Sequence, residues 1–277
     1  MFIQLQGASI YVDDQGSGSP TLFLHGNPDS SILWRGIINR MKSDLRCIAP
    51  DLPGFGHSGI PAGFKYSLPE LGQFIDGLVT ALNIREPLNL VMHDFGGPYG
   101  LAWAVKHSEK VRRLAIMNTI FFSDYRWHSW ARIWRTWPLG ELSMATTTWP
   151  AFRMMMKKSA PNLSDEHLRE TYSLFTPRTR KMVLDLYRAT DPANYKSWED
   201  QLPELTARVP AMVLWGDRDP YVSSGYAERF GAKQVLHYPE YGHWLPGENP
   251  DEVAGRLADF FLEARENAVA SQRQTGI

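Results

Sequence analysis

Four short stretches hold the residues whose types and order could do chemistry. LNLVMHDFGGPYG, residues 88–100, runs apolar into His93-Asp94-Phe95 and breaks at Gly96-Gly97. LWGDRDPY places Asp217 and Asp219 just after the apolar run AMVLW, and YGHWLP places His243 before the last helical pattern. LHGNPDSS, residues 24–31, follows the run TLFL. The first three supply a carboxylate at a sharp turn, a second carboxylate, and an imidazole, in the order nucleophile, acid, histidine. A carboxylate that attacks a saturated carbon forms an ester, whose carbonyl water can then cleave. A serine in its place would form an ether at that carbon, which water does not cleave under mild conditions. Conversely, a carboxylate attacking an acyl group would give a reactive anhydride. Asp94 therefore points away from acyl transfer and toward displacement at sp³ carbon. His243 is then the base that activates water against the Asp94 ester, with an acid behind it to orient the ring and stabilise its cation.

Asp219, three residues past Gly216, is deep enough in its loop to reach a histidine from the next strand, and Asp217 is better suited to capping that loop. The oxyanion of the hydrolysis step needs two backbone N–H donors. The amides of Asn27, in the loop after TLFL, and Phe95, after the nucleophile, are placed for that role. The histidines and carboxylates show no metal-ligand spacing such as His-Glu-x-x-His, and no cofactor is expected.

These residues need a scaffold that presents strand ends at one edge. TLFLHG (21–26), RCIAPDL (46–52), LNLVMHD (88–94), RLAIMNT (113–119), AMVLWGD (211–217) and QVLHYPE (234–240) read as strands, and FIQL with SIYVDDQGSG as an opening hairpin. LPELGQFIDGLVTALNI (68–84), GPYGLAWAVKH (97–107) and PDEVAGRLADFFLEARENA (250–268) carry apolar residues at helical spacing between them. The tail SQRQTGI is expected to fray. A mostly parallel eight-stranded sheet flanked by helices follows. With a nucleophile at a strand-to-helix turn, this is the pattern of the α/β-hydrolase fold.

The alternation stops between about 120 and 208, where six of the ten tryptophans and five of the ten methionines lie. The predicted organisation is a core of residues 1–121 and 206–277 with a helical cap of residues 122–205 inserted after the sixth strand. Such a cap would cover the strand ends where open α/β sheets bind ligands. Trp127, Trp130, Trp134 and Trp137 fall three, four and three apart, as on one helix face that packs on the core while one or two indoles reach a pocket. Trp127, Trp130, Trp134, Trp149 and Tyr187 are the candidate pocket residues.

With 29 basic and 30 acidic residues, the whole-chain charge implies neither a nucleic-acid partner nor an anionic membrane surface. The N-terminus lacks the pattern of a signal peptide, and no apolar run reaches the roughly 18 residues of a membrane span. A cytoplasmic monomer or homodimer, acting on a small hydrophobic substrate and water, is expected. Cys47 is read as a buried strand residue, since nothing near it would lower its pKa.

On HGNP followed by Ser30-Ser31, the His-Asp-aromatic-Gly elbow and the late acid, the chain resembles the haloalkane dehalogenases across essentially its whole length. Some members carry a Glu acid after the sixth strand, where this chain has Asn118, which agrees with Asp219 as the acid. The resemblance implies hydrolysis of a carbon–halogen bond to alcohol and halide, and a halide-holding role for the Asn27 side chain. One departure stands out. The family usually has Trp after the nucleophile as a halide donor, and here Phe95 has no donor, so halide stabilisation either comes from a cap tryptophan or is weak. Fluoroacetate dehalogenases carry Arg at that position, which Phe95 does not match. Epoxide hydrolases share the same three catalytic groups but need two cap tyrosines, for which Tyr125, Tyr172, Tyr187 and Tyr195 are available. An epoxide hydrolase is therefore the alternative, and a catalytically idle binding protein on the same fold a third reading.

Overall fold

The structure is a computed structural model describing residues 1–274, with side chains described through Leu262. Eight strands form one sheet: β1 (Phe2–Leu5), β2 (Ala8–Gln15), β3 (Ser19–Leu24), β4 (Leu45–Pro50), β5 (Leu88–His93), β6 (Val111–Met117), β7 (Ala211–Gly216) and β8 (Gln234–Tyr238). Their order across the sheet is β1-β2-β4-β3-β5-β6-β7-β8. β1 pairs antiparallel with β2 and β2 with β4, and every later pairing is parallel. All six runs read as strands form strands here, and each falls within two residues of its predicted start.

The central strands β3, β5 and β7 are buried along their whole length. That burial explains their near-continuous apolar sequences, since helices cover both faces of a parallel sheet. Helices α1 (Arg35–Met41), α2 (Leu68–Ala81) and α3 (Gly96–Ala104) alternate with the early strands. The Ser67/Glu70 capping box starts α2 and satisfies N–H groups that the first turn leaves unpaired. Between β6 and β7 the described elements are all helical: α4 (Ser129–Arg135), α5 (Leu139–Ala145), α6 (Trp149–Ser159), α7 (Asp165–Leu174), α8 (Pro177–Ala189), α9 (Lys196–Glu199) and α10 (Leu202–Arg208), with a short 3-10 turn before α9. α11 (Leu245–Glu248) and α12 (Pro250–Gln274) close the chain. The expected fraying after Ala270 meets a helix through Gln274, and residues 275–277 lie outside the described residues.

The tryptophan face needs correction. α4 spans only seven residues, so Trp127 precedes it and Trp137 follows it. Trp130 and Trp134 alone share that helix, one turn apart and stacked at 6.3 Å. Pro138 explains the early stop, because proline cannot continue a helix and disfavours helical backbone at the residue before it.

Cys47 is fully buried in β4, and burial pushes its thiol up to about 12. It stays a neutral packing residue.

Candidate active site

Asp94 sits between the end of β5 and the start of α3 at φ +49°, a left-handed conformation that non-glycine residues rarely adopt. Its neighbours make that turn possible by lacking side chains. A Cβ at Gly96 would lie 2.1 Å from the Leu24 carbonyl oxygen, and one at Gly97 would lie 1.9 Å from Thr119 Oγ1. The Thr119 hydroxyl in turn donates to the Asp94 carbonyl at 2.5 Å. The chain thus projects the Asp94 carboxylate out of the sheet edge, where its side chain keeps 17% of its exposure toward a cavity.

Two backbone amides flank that carboxylate. Asn27 N–H donates to Asp94 Oδ1 at 2.7 Å, and the Phe95 amide also stabilises its charge. Gly26 permits the approach, since a Cβ there would come within 2.1 Å of Asp94 Oδ1. His25 fixes the loop from behind: its Nδ1 donates to the Gly26 carbonyl and its Nε2 accepts the Leu52 N–H, both at 2.9 Å. Burial pulls the His25 pKa down, so a neutral ring serves these two bonds.

His243 Nε2 lies 3.4 Å from Asp94 Oδ2, and His243 Nδ1 lies 2.6 Å from Asp219 Oδ2. Asp217 points elsewhere and pairs with His237 at 2.6 Å. Asp219 is anchored on both oxygens. Oδ1 accepts the Tyr221 and Val222 amides at 2.7 and 3.0 Å, while Oδ2 also accepts from Asn118 Nδ2 at 2.9 Å. Asn118, at the end of β6 with φ +38°, ties itself to β7 through the Gly216 N–H and carbonyl. Asn118, at the position where the resemblance would allow a Glu, thus helps hold the Asp219 carboxylate.

Burial alone would lower the His243 pKa, but Asp219 and Asp94 outweigh it and push the imidazole up to about 10. Burial likewise opposes charge on Asp94, and the hydrogen bond and charge of His243 hold its carboxyl below the ordinary range. The resting pair is carboxylate and imidazolium. His93, beneath them, is pushed down to about 4 by burial and by the nearby His243 cation. Its neutral ring donates Nε2–H to the His243 carbonyl at 2.8 Å.

Above Asp94 lies a cavity of about 750 Å³, walled on one side by the strand-end loops and on the other by α4, α5, α6 and α8. Trp127, Trp130, Trp134 and Tyr187 line it with Asn27, Phe95 and His243. Trp149 does not. Its indole is held outside by the Arg169 guanidinium, 4.8 Å from the ring centroid, and by Tyr172 at 5.6 Å. Tyr187 packs edge-on against Phe95 at 5.0 Å and receives the Asn27 side-chain N–H at 3.4 Å. Trp127 stacks over Phe95 at 6.4 Å, and its indole N–H is buried without a partner among the described residues. Of the other tyrosines, Tyr125 lines the cavity but spends its hydroxyl on the Tyr221 carbonyl, and Tyr172 spends its own on Thr147. Tyr195 is buried away from the cavity.

Sequence reading missed His128, Ser159 and Tyr221. His128 Nδ1 accepts the Ala131 N–H at 3.2 Å as the N-cap of α4, and burial pushes its pKa down to about 4. Its remaining proton is therefore on Nε2, on the cavity-lining ring. Histidine is not among the usual N-cap residues, so no sequence signal marked it. Ser159, at the end of α6, accepts the His243 N–H on its carbonyl at 3.0 Å and the Tyr221 hydroxyl on Oγ at 3.1 Å. It contacts the His243 and Tyr221 loops across 84 and 62 residues of sequence, contacts only the fold creates.

The profile of the alpha/beta hydrolase fold matches residues 20–250, and the chain belongs to that family of enzymes. Within it the chain is haloalkane dehalogenase-like. It is 28% identical to haloalkane dehalogenase 2 of Mycobacterium tuberculosis over 91% of each chain. It is equally, 28%, identical to the cis-3-alkyl-4-alkyloxetan-2-one decarboxylase of Shewanella oneidensis, over 95% of this chain and 88% of that one. Among solved structures, an ancestral haloalkane dehalogenase superposes with a TM-score of 0.83 at 27% identity, covering 96% of this chain and 99% of the other.

Proposed function

We propose that the protein hydrolyses small apolar alkyl electrophiles through a covalent Asp94 ester, with a carbon–halogen bond as the bond broken. The observation that carries this reading is the Asp94 carboxylate itself, turned out at φ +49° between two amides and 3.4 Å from His243. In the first step Asp94 Oδ2 attacks the carbon bearing the halogen, the carbon–oxygen bond forms, and halide leaves with the bonding pair. The indole N–H of Trp127 and the side-chain N–H of Asn27 are the donors for that halide, replacing the indole that Phe95 lacks. Donors aimed at charge that develops only in the transition state raise the chemical rate rather than binding alone.

Esterification removes the Asp94 charge and with it part of what keeps His243 protonated. The imidazole then releases its proton to solvent and becomes the base that takes one from water, while Asp219 holds the ring. The hydroxide so formed adds to the Asp94 carbonyl carbon, and the oxyanion rests on the amides of Asn27 and Phe95. Collapse breaks the ester bond as His243 returns the proton to the leaving oxygen, releasing alcohol. The helices of residues 122–205 serve as a cap that excludes bulk water.

Epoxide opening is the second reading, because the Tyr187 hydroxyl faces the same cavity and no acceptor holds its proton among the described residues. Halide release from 1-bromobutane and diol release from 1,2-epoxyhexane, each followed with wild type and Trp127→Phe, separate the two. Halide release sensitive to Trp127→Phe supports the dehalogenase reading. Diol release alone, insensitive to Trp127→Phe, refutes it.

A further inference from the structure

The nearly balanced whole-chain charge hides a segregated surface. Residues 125–159 carry six basic residues and one acidic residue, against 29 and 30 in the chain. That acid, Glu141, is already paired with Arg188, and Arg153 and Lys157 share Asp165. Arg132 and Lys158 enter no ion pair among the described residues. The same stretch exposes large apolar side chains: Trp137 is 77% exposed, Met154 71%, Leu142 62% and Trp130 42%. Single exposed apolar residues are ordinary, but four large ones within residues 130–154, two of them at the rim of one cavity, are not.

The cluster also adjoins the cavity. Trp130, Met154 and Lys158 line it directly, and Ser143, beside Leu142, lines it and accepts the Trp134 indole N–H at 3.2 Å. Exposed tryptophan, aliphatic side chains and unpaired cations together match an anionic lipid surface. Indoles settle at the headgroup level, aliphatic groups enter below it, and Arg and Lys meet lipid phosphates.

We propose that the α4–α6 face docks on anionic lipid bilayers and opens the cavity mouth onto the apolar phase, from which poorly water-soluble substrates enter. Docking rests on this surface alone and not on the chemistry at Asp94.

Flotation of the purified protein with vesicles of phosphatidylcholine, with and without phosphatidylglycerol, tests it. Binding should require phosphatidylglycerol and fall with added salt, because the charges are exposed. Near a membrane each basic residue contributes roughly fivefold in affinity, so Arg132→Gln with Lys158→Gln should weaken binding about 25-fold. Trp137→Ser with Leu142→Ser, which leaves those charges in place, should weaken it at least about tenfold. Asp94→Ala should float like wild type, whatever becomes of the catalytic reading. No flotation with phosphatidylglycerol at low salt, or equal flotation without it, overturns the proposal. So does a wild-type dimer by light scattering that becomes monomeric in Trp137→Ser with Leu142→Ser, since a second copy would then cover the face.

Discussion

The two walls of the cavity are built on different physical terms. The strand-end wall is a hydrogen-bonded lattice: Asp219 has four partners, Asn118 links β6 to β7, and two amides stabilise the Asp94 carboxylate. The helical wall is aromatic packing around Tyr187, with Trp127, Trp134 and Phe95 at 5.0 to 5.2 Å, and it leaves the Trp127 indole N–H unspent. A directional lattice fixes positions to fractions of an ångström and suits bond making. A packed aromatic wall fixes shape, and its unused donors are free for a substrate. Under the proposed function, reaction type belongs to the first wall and selectivity to the second.

Substitutions can break that division. Asp94→Ala should lower turnover about 10³-fold or more, since removing a nucleophile removes the covalent route. Retention of a tenth of wild-type turnover would place the nucleophile elsewhere. Asp219→Asn should slow ester hydrolysis by about 10²- to 10⁴-fold while leaving alkylation faster than hydrolysis, because only the second step needs the oriented base. Single-turnover kinetics reads both steps, and Asp217→Asn, whose carboxylate pairs with His237 rather than His243, should change neither. On the helical wall, Trp127→Phe should raise the bromide dissociation constant and slow bromoalkane turnover by about tenfold to 150-fold, the value of a hydrogen bond to a charged acceptor. Equal effects on alkylation and hydrolysis would show that Trp127 shapes the site rather than holding halide.

The smallest change is in a proton. With His243 pushed up to about 10 by two carboxylates, removing one should bring it down. An imidazole titration by NMR should therefore give a lower pKa in Asp94→Ala than in wild type. The raised pKa also makes the cation stabilising: its contribution is complete below about pH 6.5 and is lost as pH rises through about 10. Asp94→Ala should correspondingly flatten the decline of Tm between neutral and alkaline pH.

The same division decides what could be read from the sequence. Strands β3 to β7 were legible because largely buried strands need near-continuous apolar runs, and the half-exposed edge strand β8 through its short run QVLHY, while Asp94 stood out because its turn needs Gly96-Gly97 beside it. Asp219 and His243 followed from chain order and loop position. The helical wall was harder. Helical spacing suggested one face for four tryptophans, yet the chain breaks at Pro138, a signal present in TWPLG and outweighed by the periodicity. Trp149 shares the aromatic-rich segment with the pocket residues, yet it packs against Arg169 and Tyr172 outside the cavity. His128 and Ser159 act through contacts between distant elements, which no local pattern encodes. Balanced total charge also concealed the basic bias of residues 125–159.

The covalent ester on Asp94 is the central claim, and intact-mass measurement of His243→Gln tests it most directly. This variant keeps Asp94 and its two amides but lacks the base for the second step. After incubation with 1-bromohexane, the folded protein should gain the mass of one hexyl group, mapped by peptide sequencing to Asp94, while bromide appears in equal amount. Folded His243→Gln that releases bromide without gaining that mass, or carries it on another residue, would contradict the account.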